Sequence, residues 1–240
     1  MVDDQPFESK EVSWNAFGLQ VHGTLTRPRV GDASCGVVFV AGSGPTDRDW
    51  CSPLLPGTNG SGKLLADTLT REGFATLRYD KLASGPNAME NVPKLIGKIS
   101  MQSHMEELSG AVETLIKEEQ IDENCVFALT SSEGAIHALN YQLQAKQHRF
   151  KGLVLTGAPG RSIGAVARSQ IQAQVQTLPN AVDIMRQYDA AITDFVNGKP
   201  TQIYTALPQV ILQLLLSLTS PANLPFAREL WSYDPAEHIA

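Results

Sequence analysis

Four short, mostly apolar runs divide the first two thirds of the chain, and apolar positions recur at helical spacing between them. The runs cover residues 36–41, 74–79, 125–129 and 152–155. An apolar run of strand length without alternation marks a strand buried on both faces of a parallel sheet. Each run ends in a polar or glycine-rich stretch: Gly42-Ser43-Gly44-Pro45 after the first, Asp80 after the second, Thr130 to Gly134 after the third, Thr156-Gly157-Ala158-Pro159-Gly160 after the fourth. Helices are expected over 61–71, over a stretch carrying Met105, Leu108, Val112, Leu115 and Ile116, and over 135–143, where Ile136, Leu139 and Leu143 share a face. Strand and helix thus alternate four times, which predicts a doubly wound, mostly parallel α/β sheet. Ahead of it, residues 12–27 alternate around Asn15-Ala16-Phe17-Gly18 and read as a β-hairpin, followed by a loop over 28–34.

The texture changes after Gly160. Residues 161–177, 181–197 and 201–218 read as three helices with no strand among them, the last rich in leucine. The expected organisation is a core over 1–160, an all-helical segment over 161–232, and a return toward the core beginning at 233–240. An all-helical insertion after an α/β core is either a cap over the carboxyl ends of the strands or a subdomain completing the core.

Composition narrows the function classes. A chain of 240 residues suffices for a sizeable core. Net charge of −6 with no Lys/Arg cluster argues against a nucleic-acid surface. The acidic start, Met1-Val2-Asp3-Asp4-Gln5-Pro6, does not read as a secretory signal, and the longest apolar run, 210–218, is broken by Gln213 and too short to span a bilayer. Cys35, Cys51 and Cys125 show no metal-ligand spacing, so reduced thiols, no metal and a cytoplasmic address are the expectation.

The candidate chemistry sits on two loops. Thr130-Ser131-Ser132-Glu133-Gly134 joins a buried strand to a helix, with small residues on either side of Ser132. That is the pattern of a nucleophile elbow, G-x-S-x-G, with threonine in place of the first glycine. A serine pair before a helix is also a common N-cap. Gly42-Ser43-Gly44 follows the first buried strand, where glycines let backbone amides converge on a developing oxyanion. The amides of Ser43 and Glu133 are therefore the candidate oxyanion hole. Gly57 to Lys63 nearly matches a phosphate-binding loop, but Leu64 replaces the hydroxyl that would hold magnesium, and Pro53 and Pro56 preclude the preceding strand. It reads as a loop leading into a helix, and no cofactor is expected.

Three blocks carry a resemblance: Gly42-Ser43-Gly44-Pro45-Thr46-Asp47-Arg48-Asp49, then Leu77-Arg78-Tyr79-Asp80-Lys81 with Ser84-Gly85, and Ser132-Glu133-Gly134. Together they resemble the α/β-hydrolase superfamily, in its bacterial esterase and dienelactone-hydrolase-like branch. Ala41, Leu82, Ala83, Thr130 and Ser131 depart from the residues typical there. The resemblance implies a helical insertion and, past a segment like Tyr233-Asp234-Pro235, further strands bearing the triad aspartate and histidine. The sequence stops at Ala240, so the hydrolase fold is expected to be C-terminally incomplete, without triad acid or base. His137 is set on another face of the elbow helix, His22 lies in the hairpin, His104 and His148 sit at helix ends remote from any strand end, and His238 is in a tail that could fold back but has no strand to hold it; the resemblance makes Asp80 a structural loop residue.

Two functions remain. One is a serine hydrolase of small carboxylic esters, with Ser132 as nucleophile and the base and acid supplied from beyond the sequence or another chain. The other is a non-catalytic hydrolase-like protein that binds a ligand or partner. An exposed sheet edge is expected to favour pairing with a second copy.

Overall fold

A computed structural model describes residues 6–31 and 34–239. The first five residues, on which the signal-peptide expectation rests, two residues of the 28–34 loop and Ala240 lie outside the described residues. The N-terminal hairpin is longer than its alternation suggests. β1 (Phe7–Ala16) and β2 (Leu19–Pro28) pair antiparallel from Phe7 opposite Pro28 to Ala16 opposite Leu19. Phe17 and Gly18 turn with φ of 52° and 72°, the left-handed pair that matches strand twist in a two-residue hairpin.

Then come β3 (Gly36–Val40), α1 (Ser61–Arg71), β4 (Ala75–Tyr79), α2 (Ala88–Leu95), α3 (Met101–Ile116), β5 (Val126–Ser131), α4 (Gly134–Gln144) and β6 (Gly152–Thr156). The six strands form one mixed sheet in the order β1-β2-β4-β3-β5-β6. β2 runs antiparallel to β4, and the β4-β3-β5-β6 portion is parallel. β3 and β4 are buried at every position, as unalternating apolar runs require. Val37, Phe39 and Leu129 pack on one face with Ala66 of α1, while Val38, Val40 and Ala128, pointing oppositely, are buried as well. β6 ends the sheet, and Val154 on it is 48% exposed.

Two compact units divide the chain. The sheet unit extends to Lys94 and resumes over Gln102–Ala158; the helical unit takes Leu95–Met101 and everything described from Pro159 onward. Within the helical unit, α5 (Ile163–Val175), α6 (Ala181–Val196) and α7 (Gln209–Thr219) enclose Ile171, Ile184, Tyr188, Ile211 and Leu215. A second cluster joins Phe195 and Leu218 to Trp231 of α8 (Phe226–Ser232). The leucine-rich helix, expected from residue 201, begins eight residues later, at Gln209. Pro208 is its N-cap, and a proline inside a helix would lack a donor and clash with the preceding turn. The sequence pattern also does not reveal that 95–101 belongs here: Gly97 N donates to Pro221 O (2.8 Å) and Phe226 N to Ile99 O (2.9 Å).

The expectation of three reduced thiols is corrected. Cys35 and Cys125 form a disulfide with Cα atoms 4.8 Å apart, leaving Cys51 free. The reason is register: Gly36 lies opposite Val126 on adjacent parallel strands, so the residues just before them are neighbours despite 90 residues of separation. Cysteine count therefore carries no argument for a reducing compartment. Among the described residues, no helix is long and apolar enough to cross a membrane.

Candidate active site

Ser132 occupies the turn between β5 and α4 with φ of 50°, a left-handed conformation that a non-glycine residue adopts only where its surroundings impose it. Its amide donates to Thr156 O (2.8 Å) and its carbonyl accepts from Ala135 N (3.0 Å), so both backbone groups are held while the side chain stays exposed. Among the described residues nothing hydrogen-bonds its hydroxyl. The turn needs small neighbours, and Gly134 shows how tightly: a Cβ there would meet Val40 O at 2.3 Å and Ala41 O at 2.8 Å. Thr130, where the motif has glycine, fits because it is fully buried with its hydroxyl turned sideways onto Val154 O of β6 (3.1 Å).

The loop after β3 meets this turn. A Cβ on Gly42 would sit 3.4 Å from Ser132 Cβ, so the backbone passes directly beside the serine. Two side chains pull the loop carbonyls away from it: Lys81 Nζ donates to Gly42 O, and Thr46 Oγ1 to Ser43 O (2.7 Å). Among the described residues the amides of Ser43 and Glu133 donate to nothing. Charged residues of the same loop are structural. Arg48 binds Asp80 through Nε (2.9 Å) and Nη2 (2.7 Å) and reaches Glu11, while its amide donates to Asp80 Oδ1 (2.8 Å); Arg78 pairs with Asp49. Asp80 is thus a clamp residue, in keeping with the structural role the resemblance implies.

Beneath the turn lies a buried polar cluster that sequence reasoning missed. Glu133 faces His137 (Oε1 to Nε2, 3.3 Å), whose ring packs against His104 with centroids 4.4 Å apart. His104 Nδ1 lies 2.9 Å from Glu107 Oε2, and Glu107 Oε1 accepts from Leu82 N (2.8 Å). Burial would raise the Glu133 pKa, yet the His137 hydrogen bond and the Lys81 ammonium outweigh it and hold it down at about 2. Burial, with His104 close by, pushes His137 below its ordinary value. Burial also lowers Lys81, against the pull of Glu133 and Glu107. Their sequence neighbours, Asp80, Glu106 and Ser132, are polar as well, so nothing local marks Lys81, Glu107 and Glu133 as buried; once buried, they are tolerable only because they meet.

The structure thus gathers Ser132, Glu133 and the Gly42–Ser43 backbone, and brings no described histidine onto the Ser132 hydroxyl. His137 and His104 are buried in the cluster, His148 pairs with Glu123 (3.2 Å), and His238 stacks on Tyr233 at 4.8 Å.

No family model matches the chain. Esterase EstD of Thermotoga maritima is 26% identical over 212 residues, covering 85% of this chain and 47% of that protein. The chain therefore spans about half the length of this curated relative. Among solved structures, hypothetical protein PA2218 of Pseudomonas aeruginosa is similar with a TM-score of 0.52 at 17% identity, over 96% of this chain and 70% of that one. The acylaminoacyl peptidase of Pyrococcus horikoshii reaches 0.50 at 14% identity, over 70% and 26%. At these identities the structural likenesses establish the fold.

Proposed function

We propose that this chain, which shares the fold of its structural neighbours and has an esterase as a relative at 26% identity, is an α/β-hydrolase-like protein carrying the nucleophile half of a carboxylic-ester hydrolase site. Ser132 Oγ attacks the ester carbonyl, its proton passing to a base supplied from outside the described residues. The amides of Ser43 and Glu133 receive the oxyanion; collapse expels the alcohol, which takes the proton, and water then releases the acid. One observation carries the reading: a serine in a strained left-handed turn, its hydroxyl exposed, lies beside two backbone amides that donate to nothing among the described residues. Two backbone donors without a partner among the described residues suit a charge that develops only during reaction.

The test is intact-mass and peptide mapping after incubation with a fluorophosphonate. An adduct on Ser132, abolished in Ser132→Ala, is the expected result. Folded protein without an adduct, or an adduct that persists in Ser132→Ala, removes the assignment.

A second reading is a non-catalytic protein that pairs through its sheet edge. It is favoured by the exposure of Val154 on edge strand β6. A concentration-dependent dimer without an adduct on Ser132 would support it.

A further inference from the structure

Beside the Ser43 loop lies a cleft of about 420 Å³ whose wall includes Pro45, Cys51, Pro53, Leu55 and Ala88. That volume is in the range of small-molecule sites. Most of its polar lining is already engaged within the chain. Asp47 Oδ1 accepts from the amides of Asp49 and Cys51 (2.9 Å each), Ser52 Oγ from Leu54 N (3.3 Å), and Ser84 Oγ donates to Lys81 O (3.0 Å). Among the described residues no lysine, arginine or histidine lines it, and the nearby Arg48 and Arg78 are held by Asp80 and Asp49. Among the described residues, the charged group on its wall is the Asp47 carboxylate.

The cleft is continuous with the proposed oxyanion loop. Pro45 follows Ser43 by two residues, and a Cβ on Gly44 would sit 3.7 Å from Leu54 Cδ1. Leu54 and Leu55 are 75% and 69% exposed, so large apolar surface stands in water beside the loop that would hold the reacting carbonyl. A chain attached to that carbonyl would cover it, whereas a carboxylate on the chain would meet Asp47 with no cation to offset it.

We propose that this cleft is the subsite for an uncharged aliphatic chain of the ester, and that Asp47 turns away anionic chains. The proposal rests on the hydrolase reading of Ser132 and supplies what that reading lacks, a substrate class.

Cys51 makes the cleft testable without turnover, being the one cysteine outside the disulfide. Its alkylation by iodoacetamide is followed by intact mass in the presence of acetamide, hexanamide or hexanoate, with fluorophosphonate labelling of Ser132 measured in parallel. Hexanamide should slow alkylation several-fold, acetamide and hexanoate little. Asp47→Asn, which keeps the Oδ1 acceptor for both loop amides, should let hexanoate protect as hexanamide does. An adduct on Ser132 without chain-length-dependent protection overturns the subsite and leaves the nucleophile standing. So does hexanoate protecting the unaltered protein as well as hexanamide does. Protection without an adduct overturns the nucleophile, and with it the ester as the ligand of the cleft.

Discussion

Replacing Gly134 by alanine tests whether contact between the helix start and the end of β3 sets the geometry at Ser132. In an unconstrained helix the change would stabilise by about 1 kcal/mol, since alanine is the better helix former. Here the new Cβ would lie 2.3 Å from Val40 O, 2.8 Å from Ala41 O and 2.9 Å from Val40 C, all backbone atoms that cannot rotate aside. Relieving those contacts requires α4 and the β3 end to separate by on the order of 1 Å, and overpacking of this kind typically costs about 1–3 kcal/mol. Strain should therefore outweigh propensity. With roughly 2–4 °C of melting temperature per kcal/mol in a domain of this size, the variant should melt several degrees lower. The displaced backbone adjoins both candidate donors in the chain, Gly134 following Glu133 and Val40–Ala41 leading into Gly42–Ser43, and a misplacement of that size costs on the order of 100-fold in rate. The assay is a thermal melt paired with the fluorophosphonate labelling rate at Ser132. Gly160→Ala, where a Cβ meets nothing within 4 Å, is the control. A Gly134→Ala protein with unchanged or raised melting temperature and unchanged labelling would refute the tight-turn argument.

Lys81→Met removes the buried ammonium from Gly42 O and leaves Glu133 and Glu107 without its compensation; breaking such a network costs about 3–5 kcal/mol. Urea unfolding should show a loss of that order, and a loss under about 1 kcal/mol would mean the lysine is dispensable. Acid should destabilise the fold in two windows. His137 is held below its ordinary 6.5, so the unfolded chain binds the extra proton first and stability falls as pH drops from about 6.5. Glu133, with its pKa of about 2 against an ordinary 4.5, adds a second loss between those values; a melting temperature that stays flat or rises from about pH 7 to 5 would contradict the first loss, and one that does so from about pH 4.5 to 2 the second. Thr130→Val keeps the shape but removes the hydroxyl bond to Val154 O, which should cost about 1 kcal/mol by the same unfolding measurement. A variant at least as stable as the parent would show that the hydroxyl is not what lets threonine fit the turn. Thiol titration of denatured, unreduced protein should find one reactive thiol per chain; three would contradict the Cys35–Cys125 pairing.

What the sequence determined by itself was local. Unalternating apolar runs specify buried strands because both faces of a central strand are covered, and the hairpin shows in its period of two. The elbow was legible because strand, serine, glycine and helix are contiguous, so one short window holds the whole geometric demand. Tertiary structure decided what depends on register and on which elements meet. Cys35 and Cys125 are neighbours because β3 and β5 pair in parallel with Gly36 opposite Val126. Thr130 is acceptable at a glycine position because β6 offers a carbonyl at the right height. Lys81, His104, Glu107, Glu133 and His137 come from three separate stretches and look like isolated ionisable residues until the sheet and two helices bury them together. Periodicity reports which face of an element is apolar. It carries no information about which distant polar group will be waiting on that face, and burial makes those pairings compulsory.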